Sequence, residues 1–124
     1  VHCFEQIAQL AAARPQRPFD VHLKMNTGMN RLGFRPDQFH DAWQRLRAIP
    51  HVGEITLMTH FANADESHHP CLPVAEQIRR FEQGAARLGA DGEHQQPRRG
   101  AVEAMDRGLV RRARGGLRAG RFCD

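Results

Sequence analysis

Apolar residues along the chain follow two alternating rhythms. From 2 to 14, Phe4, Ile7, Leu10 and Ala11 recur at helical spacing, and Pro15 and Pro18 end the run. Over Phe19–Met25 the period drops to two, with Val21, Leu23 and Met25 on one face and His22 and Lys24 on the other. A polar loop follows over 26–35. Pro36 and Asp37 suit a first helical turn, Phe39, Trp43, Leu46 and Ile49 form a second apolar stripe, and Pro50 closes it. A second strand is expected over 52–61, carrying Ile55 and Leu57, with a small-residue loop over 62–65. Val74, Ile78, Phe81, Ala85 and Leu88 then predict a third helix from about Pro73.

The order helix, strand, helix, strand, helix with short connections predicts an α/β fold. Its strands should form a parallel sheet joined by right-handed crossovers. A closed eight-stranded barrel needs about 250 residues. The 124 residues therefore reach at most a central slice, a partial (β/α)8 TIM barrel. The chain opens at Val1 inside a helical pattern, without an initiator methionine, which reads as a fragment. No internal repeat is evident.

Charge changes this picture only at the end of the chain. The net charge is +4, yet residues 1–90 hold ten Lys/Arg against nine Asp/Glu. Residues 91–124 hold eight arginines against five acids, with one aromatic, Phe122. An organised nucleic-acid surface needs a clustered patch with stacking platforms or a recognition motif, so no nucleic-acid partner is expected. No stretch approaches the roughly 18–20 apolar residues of a membrane span, and no signal-peptide layout is present. Three widely spaced cysteines, Cys3, Cys71 and Cys123, fit a reducing compartment. A cytoplasmic location without membrane attachment is the expectation.

Candidate chemistry sits where the strands end. If Val21, Leu23 and Met25 pack against helices, Lys24 points to the opposite face of the sheet. A buried ammonium is costly unless paired, and burial drives its pKa down toward the neutral amine. The first strand runs on as KMNTGMNRLGF over 24–34, and the second ends THFANAD over 59–65. Gln77 and Phe81 follow in a Q-x-x-x-F frame. Together these motifs resemble the pyridoxal-phosphate-dependent alanine racemases, whose pattern is close to H-L-K-x-D/N-T/S-G-M-x-R-L-G-F, then T-H-F-A-x-A-D. The resemblance covers roughly 1–88.

The resemblance implies a (β/α)8 barrel domain of an enzyme that interconverts L- and D-alanine for peptidoglycan precursors. It implies pyridoxal 5′-phosphate as cofactor, alanine as substrate and a homodimer for the full-length protein. Residue by residue, Lys24 matches a lysine that many members carry as a carbamate, an anion that orients the next group. Arg31 matches the arginine that reaches the cofactor's phenolic oxygen and lies near the substrate carboxylate. His60 matches a histidine lining the cofactor pocket. Asn26 stands where aspartate is frequent. Gly28 and Gly33 read as turn formers that permit close backbone approach. Asp65 is expected to cap or turn its loop, and Met25, Met29 and Met58 to pack. His68, His69 and Cys71 are poorly spaced for a metal, and none is expected.

Two family parts are missing from these residues. The resemblance places the Schiff-base lysine in an upstream VKANAYGHG-like segment and the opposing base, a tyrosine, in a C-terminal domain. Lys24 is the only lysine here and there is no tyrosine, so no catalytic residue is assigned and the fragment alone is expected to be inactive. Residues 91–124 form an atypical Arg/Gly-rich tail, expected to be irregular, and either disordered or read out of frame. Shifting the codons of 93–102 by one nucleotide permits an S-x-S-N-x-A-A string like the family segment expected there. Competing readings are a non-catalytic pyridoxal-phosphate-binding barrel protein, and an inactive product of a truncated gene.

Overall fold

The computed structural model describes residues 1–66, 68–90, 100–105 and 109–112. The elements run α1 (Phe4–Ala12), β1 (Phe19–Met25), α2 (Phe39–Arg47), β2 (Val52–His60), α3 (Val74–Ala90), β3 (Gly100–Met105) and β4 (Leu109–Arg112). The sheet order is β1-β2-β3-β4. β1, β2 and β3 are mutually parallel, and β4 returns antiparallel to β3. The expected α/β alternation is therefore present, with parallel strands joined through helices.

The period-two pattern of β1 is what creates two unlike faces. Val21, Leu23 and Met25 are buried, and in register with them lie Ile55, Leu57 and Thr59 of β2. This face meets Ile7 of α1, Phe39, Ala42, Trp43 and Leu46 of α2, and Phe81 and Leu88 of α3, forming one continuous apolar core. Burying such side chains contributes about 1.5–3 kcal/mol each and drives assembly. α3 sits close over the sheet, and Met25 lies against the helical Gly84, where a side chain would collide with it. The opposite face carries His22, Lys24, Thr56 and Met58, in the paired register His22↔Thr56 and Lys24↔Met58.

Two boundaries differ from the sequence reading. Pro36 and Asp37 do not enter α2. They form a separate turn in which Gln38 N–H donates to Arg35 O at 2.9 Å, and Arg35 grips the Asp37 carboxylate with two donors. That local ion pair satisfies Asp37, so the helix begins later, at Phe39. The tail is likewise not irregular throughout, since it supplies β3 and β4. The reason is the sheet edge: β2 would present a row of unpaired backbone groups, and Gly100–Met105 pairs with it from Ile55 to His60. The disorder and reading-frame expectations for 91–99, 106–108 and 113–124 lie outside the described residues.

Among the described residues no helix is long and apolar enough to cross a membrane.

Candidate functional site

The site is built at the C-terminal ends of β1 and β2, where parallel α/β sheets gather their functional groups. The β1 loop leaves Met25 and folds back on itself, so that Asn26 N–H donates to Phe34 O at 2.8 Å and Phe34 N–H to Lys24 O at 2.9 Å. Phe34 is buried and stacks edge-on against Phe4 of α1 at 5.0 Å, anchoring the far end of the loop. Gly33 makes the return possible. Its φ is +119°, and a Cβ there would lie 2.9 Å from Asn26 N and 3.1 Å from Lys24 O. Only glycine fits so close to backbone.

Inside the loop one side chain organises the rest. Asn26 Oδ1 accepts from Gly28 N–H and Asn30 N–H, both at 3.1 Å, and Asn26 Nδ2 donates to Asn30 Oδ1 at 3.1 Å. Asn30 sits at φ +57°, a left-handed conformation that asparagine tolerates better than most residues. This turn presents the exposed Arg31 directly after it. Aspartate at 26 would keep both bonds from the backbone N–H groups, and the Asn30 amide could turn to donate to its second oxygen.

Lys24 and Arg31 act on each other electrostatically, the guanidinium opposing charge on the amine. Lys24 is half-buried on the face that the helices do not cover. Its amine lies below the ordinary 10.5, first because burial disfavours the ammonium and second because the Arg31 guanidinium is near. His60 ends β2 next to this mouth and is partly exposed. Asp65 lies in the turn that follows, where Asn63 adopts φ +55° and Glu66 N–H donates to Asn63 O at 3.0 Å. His69 Nδ1 accepts from Cys71 N–H at 3.4 Å. Among the described residues no group of three or more His, Cys, Asp or Glu is placed to hold a metal ion.

Two supporting devices escaped the sequence reading. The first is Gln77, fully buried on α3. Its Oε1 accepts from Ala62 N–H at 2.8 Å and its Nε2 donates to Ala62 O at 2.8 Å, so one amide clamps the loop after His60. The second is a hydroxyl relay between the strands. Thr59 Oγ1 donates to Met25 O at 2.9 Å, which leaves Thr27 Oγ1 to donate to Thr59 Oγ1 at 2.8 Å. Both threonines are buried. Gln77 was visible as a motif letter, but nothing in the sequence revealed its backbone partner.

Comparison with known proteins identifies the family. The profile described as "Alanine racemase, N-terminal domain" matches residues 1–102, most of the chain. The chain belongs to the alanine racemase N-terminal domain family. An alanine racemase from Janthinobacterium sp. (strain Marseille) is 51% identical over 88 residues, covering 71% of this chain and 24% of the relative. One from Polaromonas sp. (strain JS666 / ATCC BAA-500) is 54% identical over 82 residues, covering 66% and 21%. The chain thus spans about a quarter of the length of the curated relatives it matches.

Solved structures agree on the fold of this alanine racemase-family chain. The biosynthetic alanine racemase from Pseudomonas aeruginosa superposes with a TM-score of 0.60 at 33% identity, covering 82% of this chain and 26% of that one. A Clostridium difficile 630 alanine racemase reaches a TM-score of 0.68 at 21% identity over 84% and 28%, a likeness of fold alone. The described sheet is accordingly a partial TIM barrel.

Proposed function

We propose that these residues form the lysine–arginine quarter of a pyridoxal 5′-phosphate-dependent racemase acting on alanine. The observation that carries the reading is the placement of Lys24 and Arg31. A half-buried amine faces away from the helices, with a guanidinium near enough to help lower its pKa. The donor set fits the cofactor: a guanidinium offers a fixed fork to a phenolate or carboxylate, and the His60 imidazole can donate or accept. Arg31, Lys24 and His60 would line its site. When bound, the cofactor supplies an electron sink that makes the α-proton of an amino acid removable.

The chain's own residues then have distinct tasks. Burial and the Arg31 charge disfavour the Lys24 ammonium, and Lys24 is the amine that this reading assigns to carbamate formation. Attack of its Nζ on carbon dioxide forms an N–C bond, opens one C=O π bond onto oxygen and releases a proton to solvent. The product is a carbamate anion, which pairs with Arg31 and fixes the direction of its fork. Arg31 in turn orients anionic groups at the mouth. In this reading D-alanine serves peptidoglycan precursors, and the full-length enzyme works in the cytoplasm as a homodimer. Proton transfer is assigned to none of the described residues, because Lys24 is the only lysine and tyrosine is lacking.

The test is a graft. Residues 1–90 replace the matching segment of the Janthinobacterium alanine racemase, and D-alanine formation is followed with and without Arg31→Met. The graft is expected to racemise alanine, the substitution to lower kcat/KM by about 10²-fold, and the 124-residue chain alone to be inactive. A folded, cofactor-loaded graft that is inactive or indifferent to Arg31→Met overturns the reading, as does racemisation by the chain alone.

A further inference from the structure

α3 touches the β1 loop as well as the β2 loop. Arg80, one turn beyond Gln77's neighbourhood on the same helix, donates from a guanidinium NH to Thr27 O at 3.2 Å. Its Nε is held by Glu76 Oε1 at 2.8 Å. The acceptor belongs to a residue that is only 1% exposed and whose hydroxyl is already engaged by Thr59. The loop that presents Arg31 is therefore held at Thr27 from two sides, by Thr59 of β2 and Arg80 of α3.

We propose that Arg80 is a positioning residue, whose bond to the Thr27 carbonyl fixes the 26–33 loop and so sets where Arg31 stands relative to Lys24. This rests on the Lys24–Arg31 reading above. Arg80 acts by holding the start of the loop while Phe34 holds the end, leaving the Asn26–Asn30 turn a single way to project Arg31. Gln77 does the same for the loop after β2. One helix therefore fastens both halves of the site. Glu76 aligns Arg80 through an ion pair that also involves Arg79, and these two partners hold the Glu76 carboxyl down at about 2.

Arg79 provides a matched control, because it pairs with Glu76 at 2.7 Å and is not among the groups bonded to Thr27. Lys24 is the only lysine, so carbon-13-labelled lysine gives one side-chain signal in the full chain. In Arg80→Met the loop loosens and Arg31 drifts from Lys24. The Lys24 titration midpoint is expected to rise, and amide exchange at Gly28 and Asn30 to quicken about tenfold. Arg79→Met removes the same charge and should move neither. If Arg80→Met leaves both readouts unchanged, or Arg79→Met moves them equally, the inference fails. Should Arg80→Met unfold the chain, Glu76→Gln is the milder probe, with the same direction expected and no movement counting against it. Arg31→Met separates the two readings. If it leaves the Lys24 midpoint in place, the Lys24–Arg31 pairing itself is wrong. If it moves that midpoint while Arg80→Met does not, Arg80 alone is misassigned.

Discussion

Gly33→Ala should destabilise the chain by about 3 kcal/mol, from a strained backbone conformation and an overpacking term of about 1–3 kcal/mol each. The position has φ +119°, which side-chain-bearing residues rarely adopt. The new Cβ would meet Asn26 N at 2.9 Å, Met25 C at 3.0 Å and Lys24 O at 3.1 Å. All three are backbone atoms, at the end of β1 and in the residue that follows it, so no rotamer change relieves the clash. Relief requires breaking the Phe34 N–H bond to Lys24 O or the Asn26 N–H bond to Phe34 O. Urea unfolding followed by the single tryptophan, Trp43, which is 9% exposed on α2, measures the loss. A midpoint within error of the wild type would mean the loop does not return against β1 as described.

Gln77→Leu isolates the second large effect. Leucine keeps much of the side-chain volume and the helix preference, yet removes the amide that serves Ala62. Ala62 N–H and C=O then lose their partner together. An unsatisfied buried backbone group costs about 1–3 kcal/mol, and the partial exposure of Ala62 argues for the lower half of that range for each. A total of about 2–3 kcal/mol is expected by the same unfolding experiment. Faster exchange of the Ala62 amide should accompany it, while the Gly28 and Asn30 amides stay protected. Loss of stability without faster exchange at Ala62 would make Gln77 a packing residue and nothing more.

What the sequence made legible follows from which interactions are local. The alternation of Val21, Leu23 and Met25 with His22 and Lys24 is a property of five consecutive residues, and it marks the three apolar residues as the ones that are buried. The stripes of α1, α2 and α3 are equally local. The start of α2 was harder, because Pro36 and Asp37 suit a first turn in isolation. Arg35 captures Asp37 and holds both residues outside the helix. Asn26 was legible as a residue type but not as the organiser of the loop, since its importance lies in a simultaneous fit to Gly28 and Asn30.

The longer-range pieces were out of reach. Gln77 reads as one polar letter in an amphipathic helix, and its partner at Ala62 is set by how α3 crosses the sheet. Arg80 and Thr27 are 53 positions apart, so their bond exists only once the fold is formed. The tail misled for a related reason. Gly100–Met105 is rich in small residues and shows little alternation, yet it pairs along β2 because that edge has backbone groups to satisfy. Strand formation there is a demand of the sheet more than a preference of the segment.

The titration of the lone lysine decides the whole account. With carbon-13-labelled lysine, Lys24 of the wild-type chain should ionise below 10.5, and Arg31→Met should carry its midpoint upward by taking a neighbouring positive charge away. A midpoint at or above 10.5 that ignores the loss of Arg31 would mean the amine stands in open water, with no guanidinium beside it.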